Sequence, residues 1–351
     1  MEPLNVYACY NLDTELRLSS SSGAVFSSLA EFVLNKKGIV YGVAMSEDCY
    51  NAEYIAVTSV EELNKIRGSK YLQARVGDTF KQVKSNLLDN KLVLFSGTGC
   101  YVNGLKKYLG MDYANLICVD VICHGTPSPA LWSKYVLYQE RINEGKLKYI
   151  NFRCKDSNWI DYGMKATVDE IAKENIKKVF IPQSADSYMR MFLRDYSLRP
   201  ACYNCVAKKD KNSDLTIADF WGVENVIPDI NDGKGISLVI IRSNKGQDVF
   251  NEIKVQMRTE KVSYEEGIRS NPSEYESSIK PIQRESFFID MEQMEYEELV
   301  EKYATTLKVP FVKRIKGWIK KIFKYMLGIF RKRNTSLINK SGLSFVFECR
   351  R

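Results

Sequence analysis

KLVLFSGTGCYVNGLKKYLGMDYANLICVDVICHGTPSP, residues 91–129, contains two apolar runs, each ending in a small-residue turn that carries a cysteine. Lys91 to Ser96 and Asn115 to Cys123 are rich in Val, Leu, Ile and Phe, the composition of strands buried on both faces of a parallel sheet. Tyr101 to Leu109 between them reads as a helix. The stretch therefore predicts a strand, turn, helix, strand unit with a right-handed crossover. The turns Ser96-Gly97-Thr98-Gly99 and His124-Gly125-Thr126-Pro127 then leave the carboxyl ends of neighbouring strands, where open α/β sheets place their ligands. Cys100 and Cys123 are expected close together at that edge.

The remaining composition narrows the chemistry. With 351 residues and 45% apolar content the chain can bury a sizeable core. Nine cysteines at irregular spacing, with no secretory signal in Met1 to Tyr10, point to a reducing cytoplasm rather than a disulfide framework. No run reaches the ~18 to 20 apolar residues of a spanning helix. His124 is the only histidine, which excludes mechanisms built on a histidine pair. The net charge of +8 is unevenly divided: residues 1–301 hold 37 Lys and Arg against 42 Asp and Glu, residues 302–351 hold 14 against 1. The body is thus mildly acidic, which disfavours a nucleic-acid groove.

Along the chain, strands are expected at Val6–Tyr10, Ile39–Met45, Tyr54–Thr58, Tyr149–Cys154, Tyr162–Val168 and Ser237–Arg242. Helices are expected at Ala24–Asn35, Val60–Ile66, Asp78–Asp89, Pro129–Asn143, Ala185–Tyr196 and Lys245–Arg258. The fold class this predicts is α/β, with α+β as the alternative: a mixed, largely parallel sheet with helices, followed by a basic amphipathic C-terminal helix. The turn Ser19 to Gly23 feeds a helix amino terminus, a place where backbone N–H groups can hold a phosphate; helix capping without a ligand is the plainer reading. Lys70, beside Gly68 and Ser69, could meet an anionic group, although a solvated lysine in a polar turn explains the spacing as well. Asp219-Phe220-Trp221-Gly222 reads as a packed aromatic corner ending a strand, with Asp219 able to reach a ligand.

Cys202 and Cys205 form a Cys-x-x-Cys pair in a proline-preceded loop flanked by Arg199, Lys208, Lys209 and Lys211. Positive charge favours the thiolate, and three readings compete: a redox dithiol, half of a zinc site, or half of an iron-sulfur site. If the fold lays this loop over Cys100 and Cys123, four thiols converge, as a Cys-only zinc site or an iron-sulfur cluster requires. Cys9, Cys49, Cys118, Cys154 and Cys349 read as isolated structural thiols.

Six segments carry a resemblance: SSSSGAVFSSLAEFVL (19–34), GSKYLQA (68–74), LFSGTGCYVNGLKKYL (94–109), DVICHGTPSP (120–129), LRPACYNC (198–205) and SDLTIADFWGV (213–223). In this order they resemble the coenzyme F(420) hydrogenase/dehydrogenase beta-subunit family over residues 1 to about 300. The resemblance implies a flavin- and iron-sulfur-dependent oxidoreductase that binds FAD and one 4Fe-4S cluster, with coenzyme F(420) or another small molecule as donor or acceptor. It assigns FAD contacts to Ser21, Ser22, Gly23, Gly68, Ser69, Lys70, Tyr71, Ser96, Gly97, Thr98 and Asp219. It carries the cluster ligands to Cys100, Cys123, Cys202 and Cys205. Where Gly99 stands, the family usually has proline. The chain begins almost directly at the serine-rich turn, without the ferredoxin-like segment of many relatives, so a separate ferredoxin-like protein or the deazaflavin coenzyme is the expected partner. A flavin supplies the redox chemistry itself, which suits a chain with one histidine.

The tail forms a second region, residues 301–351 after a cofactor domain at 1–300. Within FVKRIKGWIKKIFKYMLGIFRKR (311–333), apolar residues from Val312 to Phe330 follow helical spacing and lysines fill the rest, the pattern of an interfacial membrane binder. The expectation is a cytoplasmic protein held peripherally at the inner membrane face through anionic lipid, with cell-envelope polysaccharide metabolism as its setting. The competing expectation is a non-catalytic binding or scaffold protein with the same fold and only a structural metal.

Overall fold

A computed structural model describes residues 2–305 apart from 157 and 171–174. Its strands are β1 (Asn5–Asn11), β2 (Ile39–Met45), β3 (Ala52–Val57), β4 (Ala74–Arg75), β5 (Val93–Thr98), β6 (Leu116–Val121), β7 (Gly145–Cys154), β8 (Gly163–Glu170), β9 (Asn175–Pro182), β10 (Leu215–Asp219), β11 (Ser237–Ile241) and β12 (Met257–Val262). Nine of them form one mixed sheet in the order β12-β1-β11-β10-β6-β5-β2-β3-β4, and β7-β8-β9 form a second, antiparallel sheet. The unit read from residues 91–129 lies at the centre of the large sheet. There β5 and β6 pair in parallel, Phe95 opposite Cys118 and Thr98 opposite Val121, with the helix Gly99–Leu109 between them in sequence.

The four central strands β10, β6, β5 and β2 are mutually parallel, and antiparallel pairings flank them. Burial explains why β5 and β6 lack polar alternation. Val93, Phe95, Leu116 and Cys118 pack into one core cluster with Leu131, Trp132 and Tyr188. The alternate residues Leu94, Ile117 and Val119 pack into another with Val25, Leu29, Val33 and Phe250. Both faces of the sheet are therefore covered.

Helix ends follow local chemistry. Ser128 accepts a hydrogen bond from the Ala130 N–H at the start of Pro129–Ile142, and Asp186 accepts one from Met189 N–H at the start of Ser187–Leu193. The helix Val25–Asn35 starts differently: Ala24 sits in the left-handed region (φ 69°) and no side chain caps the first turn.

The expected helix Lys245–Arg258 stops at Ile253, and the chain turns through a short 3-10 segment into β12. Only Met257 and Val262 of β12 are buried, too sparse an alternation to announce a strand. β12 was not legible for this reason, and β9 was not because its apolar residues Ile176 and Phe180 are exposed rather than alternating into a core. The expected helix Val60–Ile66 shortens to Leu63–Ile66. Among the described residues no helix is long and apolar enough to cross a membrane. Met1–Ala304 form one unit; the basic amphipathic helix expected at 311–333 lies outside the described residues.

Candidate functional site

A cavity of about 500 Å³ opens at the carboxyl ends of the central strands. The expected contacts Ser21, Ser22, Gly68, Ser69, Lys70, Tyr71, Ser96, Gly97, Thr98 and Asp219 all line it, although they come from four separate stretches of chain. Gly23 is not among the lining residues. Its place is structural: a Cβ there would lie 2.4 Å from the Cys9 carbonyl oxygen, and its N–H donates to Ser237 Oγ at 2.9 Å.

Two turns form one wall. Ser21 Oγ accepts the Ser69 N–H at 3.1 Å, which ties the serine-rich turn to the Gly68 turn, and Gly68 takes the positive φ (81°) that this turn requires. Ser22 Oγ donates to the Ile236 carbonyl at 2.7 Å. Val25, Phe26 and Ser27, the uncapped first turn of the helix, also line the cavity. Backbone N–H groups and the helix dipole there suit an anion.

Lys70 corrects the solvated reading. It is half-buried and lines the cavity, and its ammonium donates to the Lys65 and Arg67 carbonyls at 3.3 and 2.7 Å. Burial lowers it to about 7, a setting in which a bound anion restores the charge.

At the strand ends, Gly97 leaves space for an aromatic neighbour. A Cβ there would stand 2.1 Å from Tyr54 Oη, itself buried without a hydrogen-bond partner. On the opposite wall Arg153 pairs with Asp219 at 2.8 Å, its guanidinium 3.7 Å from the Tyr162 ring centroid. Burial pushes the Asp219 carboxyl up while Arg153 opposes the rise. Asp219 ends β10 as expected, Phe220 is fully buried, and Trp221 stacks on Trp159 with centroids 5.0 Å apart. Arg153, Tyr162 and Tyr54 were missed by sequence reasoning. The available signal for Arg153 was an arginine between Phe152 and Cys154 in a strand otherwise read as core.

Beyond this cavity lies a smaller one, about 40 Å³, lined by Cys100, Cys123, Cys202 and Cys205 together with Asp120, Lys208 and Lys211. Thr98, the segment 121–126 and Ser273 line both cavities, so the two adjoin. Cys100 opens the helix Gly99–Leu109, and Cys202 lies in the 3-10 turn Pro200–Asn204. The Thr126 N–H donates to Cys202 Sγ at 3.3 Å. Lys208 Nζ donates to the Cys123 carbonyl at 2.5 Å and to that of Ser273.

Cys123 is partly exposed to the cavity it lines; burial pushes its thiol up to about 12, Lys208 opposes, and the other three cysteines add to the rise. Among the described residues no three Cys, His, Asp or Glu side chains stand at the spacing of a metal site. The donor set nevertheless suits a soft metal centre: four thiols on one cavity, with lysines against them. His124 Nε2 stands 2.7 Å from Asp195 Oδ1 outside hydrogen-bond geometry, its ring edge-on to Phe192. Cys9, Cys49, Cys118 and Cys154 are buried; Cys349 lies outside the described residues.

Two family models match the chain, the coenzyme F(420) hydrogenase/dehydrogenase beta subunit N-terminal region over residues 6–80 and its C-terminal region over residues 90–266. The chain belongs to the coenzyme F(420) hydrogenase/dehydrogenase beta-subunit family. Membership makes it an oxidoreductase by type. The two matched regions of this family meet in the larger cavity, the first supplying the serine-rich and Gly68 turns, the second supplying Ser96 to Thr98 and Asp219. Among solved structures it is similar to the F(420)-reducing nickel–iron hydrogenase complex of Methanosarcina barkeri, studied as a xenon derivative. That similarity has 13% identity and a TM-score of 0.47, and covers 88% of this chain and 97% of that one. No curated protein matches the chain.

Proposed function

We propose that this beta-subunit relative is an oxidoreductase that holds FAD in the larger cavity and a 4Fe-4S cluster on Cys100, Cys123, Cys202 and Cys205. Electrons would exchange with coenzyme F(420) or another small molecule and with a separate carrier protein. The observation that supports this most is the shared wall: the segment 121–126 lines both the turn-built cavity and the four-thiol cavity. When bound, FAD supplies hydride and one-electron chemistry. The chain's own groups do the rest. The uncapped helix start presents N–H groups where phosphate charge can sit, and Lys70 adds a cation on the same cavity. Tyr71 and Tyr54 line the cavity with aromatic faces, and the buried Arg153–Asp219 pair fixes the end of β10 beneath it.

Val121 and Ile122 give the thiol cavity an apolar side, while the Thr126 N–H donates to Cys202 Sγ. Hydrogen bonds to sulfur and nearby positive charge raise the potential of a cysteine-ligated centre.

The test is anaerobic purification. The expected product shows flavin absorbance and about four irons per chain, the cluster stoichiometry. Cys202→Ser should lose the iron and keep the flavin. A product with zinc and no flavin would reject the assignment in favour of a structural metal.

A further inference from the structure

A buried chain of polar groups leaves the wall of the thiol cavity at Asp120 and returns to it at Lys211. Asp120 Oδ1 accepts the Thr216 hydroxyl at 2.6 Å and the Ser213 hydroxyl at 2.8 Å. Thr216 Oγ1 in turn accepts Arg242 Nε at 2.7 Å. The same guanidinium reaches Glu274 Oε1 through its Nη2 at 2.5 Å, and Lys211 Nζ stands 3.1 Å from that oxygen. Lys211 also donates to the Glu274 carbonyl at 2.7 Å, which fixes the link from both sides. Three strands and a turn supply these groups: Asp120 and Thr216 sit opposite each other in the β6–β10 pairing, Arg242 follows β11, and Glu274 ends the 3-10 turn Pro272–Glu274.

The chain is cut off from water. Glu274 is fully buried, and Asp120, Thr216 and Arg242 are each at most 5% exposed. Burial pushes the Asp120 carboxyl up, while the two hydroxyls and the Arg242 and Lys211 charges hold it down. Such a network is weak evidence for stability, because desolvating the charges offsets their attraction. Its distinctive property is balance. Two acids face two bases, and both ends lie on the cavity of the four thiols, so removing one member leaves a unit of poorly screened charge beside them. Lys208, the other lysine on that wall, stands outside the chain and donates to the Cys123 and Ser273 carbonyls.

We propose that the chain Asp120–Thr216–Arg242–Glu274–Lys211 sets the reduction potential of the centre held by Cys100, Cys123, Cys202 and Cys205 by balancing the charge at its cavity. This rests on the iron-sulfur reading above, and the test separates the two.

The experiment is an anaerobic redox titration of the full-length protein, with iron counted first. Glu274→Gln keeps the shape and removes a negative charge, which favours the more negative, reduced centre, so the potential should rise. Lys211→Gln removes a positive charge and should lower it. Each should change the reduced-to-oxidised ratio by about tenfold, the scale of one charge across a low-dielectric gap, or about 59 mV for a one-electron couple. The double variant Glu274→Gln, Lys211→Gln restores the balance and should return to the parental potential. Shifts of opposite sign that cancel are not what packing damage produces, since packing losses add. Thermal denaturation reports on folding separately. Should Glu274→Gln fail to fold, Lys211→Gln and the double variant still test the sign and its cancellation.

Variants that keep their iron and the parental potential, or that all shift in one direction, overturn the inference and leave the cluster reading standing. A parent protein without iron overturns both.

Discussion

At the scale of single residues, the larger cavity depends on places where a side chain is missing. Gly97 is the sharpest, because a methyl group there would meet Tyr54 Oη at 2.1 Å but the ring carbon behind it at 3.3 Å. Gly97→Ala should therefore destabilise the fold by about 1–3 kcal/mol, the usual scale of overpacking. Tyr54→Phe should be close to neutral or mildly stabilising, since the hydroxyl it removes is buried without a partner. In the Tyr54→Phe background the Gly97→Ala cost should fall by about half or more, because the offending oxygen is gone. A double-mutant cycle in denaturant checks this; additive costs would show that the clash is relieved elsewhere.

Single residues also show what sequence could and could not reveal. Cys100, Cys123, Cys202 and Cys205 announce themselves by turn position and spacing, and the fold brings all four onto one cavity. Arg153 and Tyr54 stayed hidden because their roles come from neighbours more than sixty residues away in the case of Asp219, or from a glycine on another strand. Gly23 shows the same dependence on distant neighbours: the carbonyl of Cys9 that excludes a side chain there belongs to β1.

At the scale of elements, the serine-rich turn is held in place by a latch from outside its own stretch. Lys155, just past β7, donates to the carbonyls of Arg17 at 2.6 Å, Ser22 at 3.0 Å and Lys234 at 3.0 Å. Arg17 reinforces it, donating to the Gly235 carbonyl at 2.7 Å and pairing with Asp232. The small antiparallel sheet thus sets where the turn stands against β11. Lys155→Met keeps the volume but leaves the Ser22 and Lys234 carbonyls without this donor, at about 1–3 kcal/mol for each group left fully unsatisfied, while the Arg17 carbonyl keeps the Ser20 N–H. The expected result is a clear loss of stability, with flavin retained less tightly than in a surface control such as Lys148→Met. Equal flavin affinity in the two variants would mean that the turn keeps its shape without the latch.

The central elements were legible because burial on both faces leaves a continuous apolar run with no other reading. β12 was not, since its partner β1 is distant in the chain and most of its own residues are polar, and β9 was not because its apolar residues lie largely on an exposed strand, Ile176 and Phe180 among them. The Lys155 latch was equally invisible: a lysine following a strand looks solvated until its three acceptors, from separate loops, are in place.

On the scale of the whole molecule, charge is the dominant asymmetry. Residues 1–301 carry 37 basic against 42 acidic side chains and residues 302–351 carry 14 against 1, so the two regions attract opposite surfaces. An anionic membrane contributes about 1 kcal/mol for each basic residue held near it, and at such a surface the aromatic and aliphatic residues between Val312 and Phe330 would add apolar contact. Deleting residues 308–351 should release the protein from vesicles containing phosphatidylserine while leaving cofactor content unchanged. Because the attraction is electrostatic, raising the salt from about 0.1 M to 1 M, where the Debye length falls from about 10 Å to 3 Å, should weaken binding of the full chain. It should do so less completely than deletion does, since the apolar contact survives. Vesicle pelleting that is indifferent to both deletion and salt would place the tail's charge against the acidic body instead, and in that case the truncated protein should lose thermal stability.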